Sequence, residues 1–67
     1  MTNSQQLTRA GFNVSISAHG WEVSKGDKTF TKGYRKNSFL RCYDRRVNKS
    51  WILGKMSDSQ MVKFLVK

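Results

Sequence analysis

Between Phe12 and Ala18 the chain alternates: Phe12, Val14, Ile16 and Ala18 are apolar or small, and Asn13, Ser15 and Ser17 between them are polar. That period is what a strand with one buried face requires, because successive side chains of a strand point to opposite sides of a sheet. The stretch "AHG" then turns the chain into "WEVSK", and Gly26 and Asp27 separate that run from "KTFTK". Two tight connections between short alternating runs predict three antiparallel strands, with Trp21, Val23 and Phe30 joining the core begun by Phe12 and Val14.

Residues 38 to 53 fit two patterns. As a helix they set Phe39, Tyr43, Val47 and Trp51 on one stripe, with Asn37 or Ser38 as N-cap and Gly54 past the end. As a hairpin, "SFLRCYDR" and "SWILGKM" flank a turn around Val47, Asn48 and Lys49. Leu40, Cys42, Ile52 and Met56 then lie on one face, and Phe39, Arg41, Tyr43, Arg45, Trp51, Leu53 and Lys55 on the other. The hairpin is favoured, because the helix strands Ile52 and Leu53 off its stripe and the segment is rich in aromatics but lacks Ala and Glu.

In "MSDSQMVKFLVK", Ser57 followed three residues later by Gln60 spells a capping box, Asp58 suits the positive end of a helix dipole, and Met56 and Met61 stand at the positions of a hydrophobic staple. A short C-terminal helix follows, with Met61, Val62, Phe64 and Leu65 as its packing side. The opening "MTNSQQ" is polar, and residues 1–10 are expected to be loosely ordered, although "SQQLTRAG" has enough helix signal for one turn ending at Gly11. The expected fold is therefore α+β: a single small domain, 1–67, with an antiparallel sheet of about five strands and one C-terminal α-helix packed on one face.

Thirteen Lys and Arg against four Asp and Glu give a net charge of +9. Such an imbalance calls for a polyanionic partner. The charge is concentrated in "KGYRKNSFLRCYDRRVNKSW", Lys32 to Trp51, where seven basic residues and one acid alternate with Tyr34, Phe39, Tyr43 and Trp51. Lys and Arg neutralise phosphates, and aromatic rings among them stack on sugars or bases. In the hairpin arrangement the sheet face away from the C-terminal helix presents this mixture. The candidate nucleic-acid-binding residues are Arg35, Lys36, Arg41, Tyr43, Arg45, Arg46, Lys49, Trp51 and Lys55. For each the alternative is structural: Tyr43 and Trp51 could complete a small core, and the exposed cations could serve solubility.

The order of strands followed by one helix, and the junction "WILGKMSDSQMVKFL", resemble the end of the AP2 and integrase arm-type DNA-binding domains, in which an "LG-x-F-x-T-x-E-E-A" stretch joins the last strand to the helix. Leu53, Gly54, Met56, Ser57, Ser59 and Gln60 stand at the matching positions, with Ser59 and Gln60 in place of the paired glutamates and Met61 in place of the alanine. The resemblance implies a sheet face that enters the major groove, and with it roles for Arg41, Tyr43, Arg45 and Trp51.

Catalysis has little to build on. His19 is the only histidine and sits in a turn, and Glu22, Asp27, Asp44 and Asp58 are scattered along the chain, so neither a metal site nor an acid–base pair can be argued. The expectation is a non-enzyme without cofactor or metal. The lone Cys42 points to a reducing, cytoplasmic setting and reads as a small core residue. No apolar run approaches the ~20 residues that span a bilayer, and the N-terminus lacks the pattern of an export signal. Among partners, nucleic acid comes first, with duplex DNA ahead of RNA. The second reading is a small inhibitor or adaptor of the mobile-element or phage type, docking its basic face on an acidic or nucleic-acid-binding surface of a larger protein.

Overall fold

The computed structural model describes residues 2–66. Its elements run α1 (Asn3–Arg9), β1 (Asn13–Ser17), β2 (Gly20–Lys25), β3 (Lys28–Lys32), β4 (Ser38–Asp44), β5 (Lys49–Met56) and α2 (Asp58–Leu65). The strands make one antiparallel meander in the order β1-β2-β3-β4-β5, so the α+β class holds and residues 38 to 53 are a hairpin. In that hairpin Ile52 and Leu53, which a helical stripe leaves over, become strand residues.

α2 begins as the capping pattern requires. The Ser57 hydroxyl accepts from the Gln60 amide at 3.3 Å, and the Ser57 amide donates to Gln60 Oε1 at 2.9 Å. These bonds satisfy donors that the first turn of a helix leaves without partners. Met61 and Val62 are buried, whereas Phe64 is 45% exposed and lies outside the packing side it was expected to share. Ser57→Ala is expected to cost about 0.5–2 kcal/mol, and thus several degrees of melting temperature in a domain this small, which thermal unfolding followed by circular dichroism will measure.

The helical turn ending at Gly11 is present and extends to α1, so the first ten residues are held more firmly than the loose order expected of them. Thr2 and Gln5 form a second capping box, with the Gln5 amide donating to Thr2 Oγ1 at 3.2 Å and the Thr2 amide donating to Gln5 Oε1 at 3.0 Å. The far end of α1 is closed as firmly. The Phe12 amide donates to the Leu7 carbonyl at 3.0 Å and the Gly11 amide to Thr8 at 3.1 Å, with Gly11 at φ +95°. This is the Schellman pattern, in which a glycine takes the left-handed conformation that side chains resist. Lys25 Nζ adds a 2.9 Å bond to the Ala10 carbonyl and lies 5.1 Å from the centre of the Phe12 ring.

Both helices cover the same face of the sheet. Leu7, Phe12, Val23, Leu40, Met61 and Val62 form the buried cluster, and Trp21, Phe30, Leu53 and Met56 pack partly buried against it. One cation of the basic segment also goes inward. Lys32 is 3% exposed, and its Nζ donates to Asp58 Oδ1 at 2.8 Å, to the Gly33 carbonyl at 2.9 Å and to the Arg35 carbonyl at 3.2 Å. It ties the first turn of α2 to the β3–β4 loop.

Candidate nucleic-acid interface

The strand register sorts every side chain of the sheet. Val14, Val23, Phe30, Cys42 and Trp51 stand side by side in one row on the helix face. Ser15, Glu22, Thr31, Arg41 and Ile52 form the corresponding row on the opposite face, and all five are exposed. Among the described residues, helices cover one side only. The open side is polar over β1, β2 and β3, and changes character at the β4–β5 ribbon.

There Phe39, Arg41 and Tyr43 of β4 face Lys55, Ile52 and Ser50 of β5. Phe39 is 45%, Tyr43 39% and Ile52 53% exposed. Lys55 Nζ lies 5.1 Å from the centre of the Phe39 ring, which pins a cation at one end of the cluster. At the other end the Tyr43 hydroxyl donates to Asn48 Oδ1 at 2.7 Å, and Asn48 holds the turn with φ +52°. Arg41 lies between the two rings. It also borders a shallow depression of about 250 Å³ on this face, lined in addition by Ser17, His19, Glu22, Thr31 and Phe39.

Trp51 does not join this group. Leu40 pairs with Gly54 and Arg41 with Ile52, so Leu53 is an extra residue in β5, a β-bulge. One inserted residue flips every side chain beyond it. Trp51 therefore shares the face of Cys42, Ile52 moves to that of Arg41, and Leu53 turns to the core. Two things hold it there: Leu53 gains burial against the assembled core, and Gly54, at φ +133°, takes the backbone conformation that the bulge demands. Trp51 remains 42% exposed at the end of its row.

The remaining candidates stand at the ribbon's two ends. Arg35 and Lys36 lie exposed in the loop before β4, at the Phe39–Lys55 end. Arg45 and Arg46 occupy the β4–β5 turn, where the sequence pattern had placed Arg45 on the strand face, and Lys49 opens β5. Arg45 Nη2 is 3.3 Å and Arg46 Nε 3.9 Å from the carboxylate of Asp27, with both arginine side chains 77% exposed. Such surface pairs contribute about 0–1 kcal/mol, so a phosphate can displace Asp27 at little cost.

Cys42 is 1% exposed, and burial pushes its thiol up from the ordinary value, with Lys28 opposing the rise and Asp44 adding to it. It is a core residue, as its place between Leu40 and Tyr43 suggests. His19 occupies the β1–β2 turn as its sequence context predicts. Ile52 was not among the sequence candidates. The only signal for it is Gly54, since a glycine inside a strand pattern marks a bulge. The chain matches no protein-family model, and comparisons with curated proteins and with solved structures likewise give no match.

Proposed function

We propose that the protein binds nucleic acid, duplex DNA in preference to RNA, by laying the open face of the β4–β5 ribbon into a major groove. The observation that carries this reading is the placement of exposed Phe39, Tyr43 and Ile52 around Arg41 on an uncovered sheet face, with cations at both ends of the ribbon. A strand of seven residues such as β4 is roughly 23 Å long, and the B-form major groove it would enter is about 12 Å wide. The ends therefore reach the phosphates on either side while the middle meets base edges. Arg35, Lys36 and Lys55 at one end and Arg45, Arg46 and Lys49 at the other grip the backbone, Arg41 donates to a guanine edge, and Ile52 offers apolar contact to a thymine methyl. The preference for DNA follows from the A-form major groove of RNA, which is too deep and narrow for side chains to read. Trp51, on the helix side, has no part in this contact.

Titration of labelled duplex DNA, single-stranded DNA and RNA at several salt concentrations tests the reading. With about five phosphate contacts, log affinity for the duplex falls against log salt with a slope of about −4 to −5. Arg41→Ala is expected to erode discrimination among duplex sequences by about 1–3 kcal/mol, whereas Arg35→Ala and Lys36→Ala weaken all sequences alike. A slope near zero, together with recovery from lysate of one stoichiometric protein that survives nuclease, selects the inhibitor or adaptor reading instead.

A further inference from the structure

β1 and β5 are the two edges of the sheet, and they are guarded differently. An edge strand presents unpaired N–H and C=O groups that can pair with another chain, and lysines and bulges are the usual deterrents. β5 has both, in Lys49, Lys55 and the Leu53 bulge. β1, "NVSIS", has neither: no charged residue, no proline, and an unbroken register with β2. Each of the other four strands carries at least one Lys or Arg, in a chain of net charge +9. The bare strand is thus an exposed one. Ile16, 58% exposed, adds an apolar side chain beside it.

We propose that β1 pairs antiparallel with β1 of a second copy about a two-fold axis at Ser15, joining the two sheets into one. That register makes the strand complementary to itself. Val14 falls opposite Ile16 of the second copy on the helix face, and Asn13 opposite Ser17 on the open face. β-Branched residues meet β-branched residues, small polar residues meet small polar residues, and no charge is brought to the seam. The dense cations of the ribbon do not oppose the union. In an unbroken sheet β4 lies seven strand spacings from β4 of the second copy, about 34 Å at ~4.8 Å each. The Debye length at physiological salt is only about 8 Å. A second copy fits better than an unrelated acidic partner, because β1 offers no cation to attract one. A seam five residues long is smaller than the roughly 1,200–2,000 Å² interface of a stable complex, so the dimer is reversible and forms with rising concentration.

Analytical ultracentrifugation from micromolar to millimolar protein, without nucleic acid, is the test and does not depend on the proposed function. The weight-average mass of the unaltered protein is expected to climb from 7.8 kDa toward twice that value. Ser15→Glu sets two carboxylates opposite one another at the axis, each beside the Glu22 of its own copy, and should stay monomeric, while Ser15→Lys, whose charge Glu22 offsets in part, should associate less than the original; circular dichroism checks that these exposed substitutions keep the fold. Mixing the two variants places Lys opposite Glu and should restore association. A monomer throughout the concentration range overturns the proposal, as does a Ser15→Glu protein that dimerises like the original or a mixture that gains nothing.

Discussion

Asp58→Ala is expected to lower the unfolding free energy by about 3–5 kcal/mol, because it leaves the Lys32 ammonium buried without its counter-charge. A chain of 67 residues has on the order of 3–10 kcal/mol in total, so the substitution removes a large fraction of the protein's stability. Lys32→Met should be milder, about 1–3 kcal/mol. It removes the buried charge, keeps an unbranched apolar stem in the same space, and abandons a carboxylate that is one-third exposed at the start of α2 together with two backbone carbonyls. The order of the two losses is the informative part. The Lys32 side chain is 0% exposed and that of Asp58 32%, so whichever variant strands the lysine suffers more. Combining Lys32→Met with Asp58→Ala should recover part of the Asp58→Ala loss, since no buried charge then remains. Urea unfolding of the three variants gives the comparison. Equal losses for the two single variants would mean that the lysine is fully hydrated in the folded protein.

The inward turn of Lys32 was legible in the sequence. In "KTFTK" Phe30 belongs to the core, and a strand returns to the same face two residues later, at Lys32. Counting Lys32 with the basic segment obscured this, because charge was read along the chain and burial across the sheet. The first three strands and the α2 cap were legible because alternation and capping are local. The β4–β5 hairpin was favoured for the same kind of reason, but its faces beyond Leu53 were not legible. A bulge exchanges Trp51 for Ile52 on the open face, and its position depends on whether Leu53 finds burial, which is a property of the assembled core. α1 was legible only as a single turn ending at Gly11, for a different reason. Thr2 and Gln5 repeat the spacing of Ser57 and Gln60, but the helix has one buried apolar residue, Leu7, and one residue makes no period.

That single residue is why Leu7→Ala is expected to cost about 2–5 kcal/mol, which at this size is a fall of 10 °C or more in Tm. A helix of seven residues does not persist on its own in water, because nucleation costs more than so few hydrogen bonds return. Two capping arrangements hold the ends of α1, yet the side chain that fastens it to the molecule is Leu7, 0% exposed within the cluster that includes Phe12, Val23, Met61 and Val62. Truncating Leu7 leaves a cavity between α1 and the sheet and loosens the Schellman closure that brings Phe12 inward. Two outcomes distinguish an integral helix from an attached one. If α1 is part of the cooperative unit, the urea midpoint falls with little change in slope, since the same surface is exposed in one step. If α1 were merely attached, the sheet and α2 would unfold at nearly the original midpoint with a shallower slope, and trypsin would cut after Arg9 while the rest stayed folded. The shared cluster favours the first: without α1 the core loses Leu7 outright, and Met61 and Val62 lose the neighbour that α1 supplies.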